Sequence, residues 1–273
     1  MVSAADRAKS PARTSVWLEG KAERGRRSAQ PASLDRAKII DATVRLLDSE
    51  GAAKFSMRRL AAELDVTAMS VYWYVDTKDD LLELALDAAF GTIRLPDAGA
   101  DADAGGDGDA DGDTDADAGD WRGRLRRLAV DYRAMLVRHP WVSPLVGTFL
   151  NIGPNALAFS LAIQQVMRDT GLPPRGQMGA LSAVFQFVYG FGTIEGHFIA
   201  RCASAGMSQD EYYREAIGTM TGAPDLGLKK YITESMEIMV SGGTGTVAEM
   251  RERDFEYALE TLVAGIEAMA ARG

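Results

Sequence analysis

The sequence predicts an all-α fold, on three observations. Apolar residues recur at steps of three and four through one segment after another, the period of a helix face. No alternation of apolar and polar residues, the mark of a half-buried strand, interrupts those segments. Proline and glycine clusters such as Gly171-Leu172-Pro173-Pro174 and Ser241-Gly242-Gly243 fall between the periodic segments and punctuate them.

Taken in order, the first helix is read over 33–51, with Leu34, Ala37, Ile40, Val44 and Leu47 on one face, Ser33 able to cap the start and Gly51 the end. Ser56 caps a second helix over 56–64, where Met57, Leu60, Ala61 and Leu64 share a stripe, and Asp65-Val66 breaks it. A third runs from Thr67 to about Tyr74 with Val71 and Val75 inward. Two turns are too few to be stable alone, so packing must hold it. Thr77-Lys78-Asp79-Asp80 offers a capping pattern for a fourth helix reaching about Arg94, with Leu81, Leu82 and Ala85 apolar. Further helices are expected at 121–138, 155–169, 175–204, 209–220, 228–240 and 249–271.

The 273 residues allow one large domain or two modest ones, and 47% apolar with 25% charged residues is an ordinary globular balance. Disordered, collagen-like and disulfide-framework proteins are excluded. Cys202 stands alone, so neither an intrachain disulfide nor a cysteine-paired zinc site is available, and no cofactor or metal is expected. The start MVSAADRAKSPARTSVWLEG carries no apolar core after a basic opening, so a cytoplasmic setting is expected. Residues 140–167 and 176–194 hold no charge, yet prolines, asparagines, glutamines and glycines break them, which fits buried helices better than a membrane span.

The formal net charge of −9 hides its distribution. Residues 1–75 hold 13 basic and 9 acidic side chains, residues 97–120 hold ten Asp and no base, and residues 121–273 hold 15 of each sign. The locally basic start clusters Lys21, Arg24, Arg26 and Arg27. Such arms often bind nucleic acid, and a solvated tail is the alternative. The Asp/Gly/Ala-rich insert lacks large apolar side chains and reads as a disordered, solubilising loop whose charge could compete with DNA for the arm. Asp107, Asp109, Asp111 and Gly112 open like a calcium loop, but the closing acid would fall on Ala118. The expected organisation is a basic arm over 1–32, a helix-turn-helix domain over 33–95, the loop over 96–120 and a helical regulatory and dimerisation domain over 121–273.

Helix 56–64, a tight turn and helix 67–74 make a helix-turn-helix, the arrangement that places its second helix in a DNA major groove. Arg58 and Arg59 sit in a first turn, where the helix dipole disfavours cations, and a phosphate there would reverse the conflict. Tyr72, Trp73 and Tyr74 are consecutive, and residues about 100° apart on a helix cannot all face the core. At least one must be exposed, and that wants a partner.

At this point the run FSMRRLAAELDVTAMSVYWYVDTKDDLLELAL resembles the DNA-binding domain of the TetR family of bacterial regulators, and YWYV followed by Lys78 resembles its tetracycline-repressor branch. The likeness covers about residues 33–95, and FEYALETLVAGIEAM is similar to that branch's last helix. One departure is Asp65 at a turn position usually held by glycine; Asp tolerates the left-handed conformation, so the turn should survive. The resemblance implies that Ala68, Met69, Ser70 and Trp73 face base edges, that Thr67 caps the recognition helix, and that Tyr72, Tyr74 and Lys78 bind phosphates. No Arg, Asn or Gln there offers a bidentate base contact, so direct readout looks thin. That leaves a role for Arg24, Arg26 and Arg27 in the minor groove.

In the second domain Gly192, Gly196, Ala200 and Ser204 form a small-residue ridge at steps of four, and Phe255, Leu259, Leu262, Ile266 and Met269 form an apolar stripe. The resemblance makes these two helices a four-helix homodimer interface, with Gly192, Gly196, Ala200, Leu259, Leu262 and Ile266 in it; the alternative is that both stripes serve the internal core. An apolar or aromatic small-molecule site is expected among Trp141, Phe149, Phe159, Met167, Phe185, Gln186, Tyr189 and His197, any of which could instead be plain core. The sequence alone does not allow His139 or His197 to be aligned with the branch's metal-chelate histidine. The implied function is a homodimeric repressor on a double-stranded, inverted-repeat operator, released by a small-molecule inducer, with an export or antibiotic-related gene as its target. A dimeric DNA-binding regulator without a ligand is the alternative. An enzyme has least support, since G-x-S-x-G, H-E-x-x-H and G-x-x-x-x-G-K are all missing from the sequence.

Overall fold

The computed structural model describes residues 15–18, 34–96, 120–222 and 245–272. Among the described residues there are ten helices and no strand. They are α1 (Arg36–Glu50), α2 (Met57–Glu63), α3 (Ala68–Tyr72), α4 (Lys78–Phe90), α5 (Trp121–Arg138), α6 (Val142–Val146), α7 (Pro154–Asp169), α8 (Pro174–Ala205), α9 (Gln209–Gly222) and α10 (Val247–Ala270). The helix expected over 228–240, the basic arm's arginines and the Asp-rich loop with its calcium-like Asp107, Asp109 and Asp111 lie outside the described residues. No described helix is long and apolar enough to cross a membrane. The chain divides into two compact units, one up to Thr193 and one from Ile194. The division falls inside α8.

In the first unit α1 packs on α2 and α4, α2 on α3, and α4 on α6 and α7. Helix α1 starts at Asp35, whose carboxylate accepts the Lys38 N–H at 2.8 Å, two residues beyond the Ser33 expected as cap. Its buried face is Ile39, Ala42, Thr43, Leu46 and Leu47. The expected stripe was thus rotated, because adjacent apolar pairs give the helix two overlapping stripes and packing on α4 selects the other. Ala37 is exposed, and Ile40 and Val44 are half-buried.

Helix α4 buries Leu81, Leu82, Leu84, Ala85, Leu86, Ala89 and Phe90, and with them three acids, Asp80, Glu83 and Asp87. It stops at Phe90, short of Arg94, whose guanidinium binds both Asp131 carboxylate oxygens on α5. Behind it the rings of Phe90, Tyr132, Phe159 and Phe185 pack with centroids 5.2 to 6.3 Å apart. Aromatic pairs in this range each add about 0.5–1.5 kcal/mol beyond burial. Burial also pushes the Tyr132 phenol well above its ordinary pKa. The short α6 was not among the expected helices; Pro144 sits in its first turn, where a missing N–H costs nothing.

In the second unit α9 packs on α10. Helix α10 opens with a capping box: Thr246 accepts the Glu249 N–H and the Glu249 carboxylate accepts the Thr246 N–H. Its buried stripe is Phe255, Leu259, Val263 and Ile266, while Leu262 is half-buried and Met269 exposed. The Arg251 guanidinium lies over the Phe198 ring at 4.6 Å, and Phe198 meets Tyr212 edge-on.

Candidate nucleic-acid interface

Two side-chain caps and one backbone turn build the helix-turn-helix. Ser56 Oγ accepts the Arg59 N–H and starts α2; Thr67 Oγ1 accepts the Ser70 N–H and starts α3. Each cap is worth about 1 kcal/mol. Between them Asp65 takes φ of +52°, the left-handed conformation that its short polar side chain tolerates. Val66 N–H then closes the turn onto the Ala61 carbonyl at 2.9 Å. The five-residue α3 buries only Val71, and Leu60, Phe55 and Val75 are buried around it in the same domain.

That leaves the rest of α3 facing outward. Met69 is 64% exposed and Tyr72 40% exposed, while Ala68, Ser70 and Trp73 are half-buried. Two residues expected on phosphates also have internal duties. Tyr74 Oη donates to the Leu34 carbonyl at 2.5 Å, and Lys78 Nζ donates to the Phe55 carbonyl at 2.8 Å and sits over that residue's ring. The ammonium keeps two further donors.

The dipole conflict at the start of α2 is resolved differently at its two arginines. Arg59 is engaged by Glu50 at 2.8 Å and Glu63 at 3.3 Å, which raise its pKa, so intradomain ion pairs hold its guanidinium in this structure. Arg58 is exposed and makes no ion pair among the described residues.

The acids on and near α4 were missed in the sequence, although Glu83 and Asp87 inside LLELALDAAF interrupt an apolar run four residues apart. Asp87 serves α7. That helix has Gly153 and Pro154 at its start and no side-chain cap of its own. Asp87 accepts the N–H of Ala156 at 3.0 Å and of Asn155 at 3.4 Å, and the Asn155 side-chain amide at 3.1 Å. Only glycine fits at 153, because a Cβ there would lie 2.2 Å from Asp87 Oδ1. Glu83 accepts from Ser15 and Val16. Burial raises the pKa of both carboxyls, and these same N–H and O–H donors pull it back. Burial lowers the pKa of Arg36 on α1, with Asp80 opposing. Asp48 on α1 accepts from His139 Nδ1 at 2.6 Å and from Trp141 Nε1 at 2.7 Å. Polar contacts as well as packing therefore link the DNA-reading domain onward, α1 to the start of α6 through Asp48 and α4 to α7 through Asp87.

Several of the residues expected around a small molecule also have partners within the chain. Trp141 is buried against Asp48; Phe159 and Phe185 fill the aromatic cluster; Met167 is buried; Tyr189 donates to the Ser143 carbonyl at 2.8 Å. Phe149 is half-buried, and Gln186 and His197 are exposed. A cleft of about 360 Å³ lies elsewhere, bounded by Leu95, Pro96, Leu161, Val166, Arg124 and Arg168.

The residues expected in a dimer interface differ in exposure within the single chain. Gly192 lets Leu136 approach to 3.1 Å of where its Cβ would be, so it serves internal packing. Gly196, Leu259 and Ile266 are buried in the single chain, Leu262 is half-buried and Ala200 is exposed. Among the described residues of the second unit, the large apolar side chains left outward are Ile194, Tyr257 and Met269, at 66%, 80% and 57% exposure.

Comparison with known proteins agrees with this geometry. Residues 39–85 match the family described as bacterial regulatory proteins, tetR family, and residues 114–270 match the tetracyclin repressor-like C-terminal domain. An HTH-type transcriptional regulator of Saccharopolyspora erythraea is 36% identical over 157 residues, 58% of this chain and 59% of that relative. The HTH-type transcriptional repressor DrrR1 of Streptomyces coeruleorubidus is 26% identical over 96% of this chain and 87% of its own. The solved structure of ActR from Streptomyces coelicolor in complex with actinorhodin shares the fold at a TM-score of 0.59 and 20% identity, covering 87% of this chain and 98% of that one.

Proposed function

The chain belongs to the TetR family of bacterial DNA-binding transcription regulators, in its tetracycline-repressor-like branch, and on that premise we propose that it is a homodimeric repressor released from an inverted-repeat operator by a small molecule. The observation that carries the DNA reading is α3: Met69 and Tyr72 stand exposed on a capped helix directly after the left-handed turn at Asp65. Ala68, Met69, Ser70 and Trp73 read base edges, and Tyr72, Arg58 and the remaining donors of Lys78 hold phosphates. Phosphate contacts position the helix and base contacts specify. Residues 1–32 act as an arm with Arg24, Arg26 and Arg27 on the minor groove, 33–95 as the DNA-reading domain and 121–273 as the regulatory and dimerising part. A second copy covers Ile194, Tyr257 and Met269, setting two recognition helices one DNA turn apart, about 34–36 Å.

The inducer is an apolar or aromatic compound; ActR has been solved with actinorhodin, a precedent within the fold. The cleft beside Leu95 follows directly on α4 and has a size at the lower end of ligand pockets, about 300–1,000 Å³. A reading without a ligand draws on the filled aromatic cluster around Phe159 and Phe185. Footprinting on the gene's own upstream DNA, repeated with aromatic and polyketide-like compounds, separates the two. Operator affinity indifferent to every compound tried would favour the ligand-free regulator.

A further inference from the structure

A short segment far ahead of α1 is docked onto α4. Ser15 Oγ donates to Glu83 Oε1 at 2.5 Å, and Val16 N–H donates to Glu83 Oε2 at 2.9 Å. Ser15 and Val16 are both buried. Ser15 Oγ also accepts the Trp17 N–H at 3.2 Å, which folds the segment into a turn. Trp17 is thereby laid over the joint between α4 and α7, beside Leu86 and Phe90 on one side and Gly153 and Ala156 on the other. The void left there is about 10 Å³, room for no more than a single water.

Ordering residues near a chain end costs conformational entropy, so a segment of this kind stays docked only where burial and hydrogen bonds repay it. A buried carboxylate is likewise unfavourable unless its oxygens are satisfied. Glu83 and Asp87 lie four residues apart on α4, and each spends its oxygens on N–H or O–H groups of a different piece of chain: Glu83 on Ser15 and Val16, Asp87 on the start of α7. Three pieces of chain thus meet on one stretch of α4.

We propose that Ser15–Leu18 form an intramolecular clasp that, through Glu83 and the Trp17 ring, locks the α4–α7 joint in one setting. The clasp makes the setting of α4 depend on the base of the N-terminal arm as well as on α7. A change in the core then moves α4 only by carrying or displacing these residues. Its regulatory meaning rests on the repressor reading above, in which α4 links the core to the recognition helix; its existence does not.

Hydrogen–deuterium exchange of the full chain tests it, comparing wild type with V16D, W17A and W17F. The clasp predicts that V16D and W17A raise exchange over residues 153–157, where the Ala156 N–H is capped by Asp87, at least tenfold, with residues 56–72 unchanged and W17F close to wild type. A synthetic peptide of residues 11–20 added to V16D restores the slow rate. Unchanged rates over 153–157 in both V16D and W17A overturn the proposal, as does a rise in W17A spread evenly along the chain, or a peptide that slows nothing. Binding of the same proteins to DNA fragments selected by the wild type keeps the two readings apart. A wild type that selects no DNA while the clasp behaves as described sinks the repressor reading alone, and selection with no effect of the clasp variants on exchange sinks the clasp alone.

Discussion

Replacing Asp87 with Ala tests whether α4 and α7 are fastened by the cap seen between them. The substitution leaves the N–H groups of Asn155 and Ala156 without their acceptor, at bonds of 3.4 and 3.0 Å, inside a buried joint. Loss of an N-cap costs about 0.5–2 kcal/mol, and an unsatisfied buried donor about 1–3 kcal/mol; these overlap. Removing a carboxylate whose burial disfavours its charge offsets part of the loss. A net destabilisation of about 1–3 kcal/mol follows, a fall in Tm of roughly 2–4 °C for each kcal/mol in a domain of this size. The more discriminating variant is Gly153→Ala, whose Cβ would sit 2.2 Å from Asp87 Oδ1. With Asp87 already cut back to Ala the Oδ1 and Cγ contacts vanish and only the residual approach to its Cβ, 2.8 Å, must be relieved by a small shift, so the double variant should be less destabilised than the sum of the singles by about 1 kcal/mol or more. Urea unfolding followed by circular dichroism gives the four free energies. Additivity within about 0.5 kcal/mol would refute the fastening, because independent sites add and neighbours in one network do not.

Met69→Ala should change which operator bases are preferred while leaving the salt dependence of binding intact, read by selection from randomised duplexes at two ionic strengths. Lys78→Ala should weaken binding to all sequences and reduce the salt slope by about one; an intact slope would show that its ammonium serves only the Phe55 carbonyl. Burial raises the Glu83 carboxyl above its ordinary 4.5, so the folded chain holds that proton more tightly than the unfolded one. The resulting stabilisation is complete below pH 4.5 and is lost as pH rises through the folded value. The stability of Glu83→Gln relative to wild type should therefore improve as pH rises from 4.5 upward in urea titrations, and a difference independent of pH would contradict the assignment. Tyr257→Glu, at an 80% exposed position, should leave the melting of the isolated chain within about 0.5 kcal/mol yet shift sedimentation toward the monomer.

Much of this architecture was legible because local chemistry specifies it. Ser56, Thr67 and Thr77 cap the helices their positions announced, and Asp65 holds a turn that glycine usually holds. Periodicity failed where two stripes compete: in α1 adjacent pairs such as Ile39-Ile40 and Leu46-Leu47 let either face read as inward, and only α4 decides. In α10 the face turned inward within the single chain carries Val263, with Leu262 of the expected stripe half-buried beside it. Pairing across the chain left no local trace. Nothing in the spacing of Ser15 and Glu83, or of Asp48, His139 and Trp141, announces that they meet. Glu83 and Asp87 were nevertheless detectable as charges within an apolar helix, and such residues call for a partner. The aromatic packing was equally silent: Phe159 and Phe185 meet with ring centroids 5.7 Å apart, and nothing in their spacing announces it.

The central claim is that two copies of α3, each presenting Met69 and Tyr72, read an inverted repeat. Selection of bound duplexes from a random pool by the purified chain at moderate salt, followed by footprinting, tests it most directly. The expected result is a palindrome with half-sites about 10 base pairs apart, protected on one face of the duplex. A chain that enriched no sequence, or that protected a single unrepeated half-site as a monomer, would contradict it.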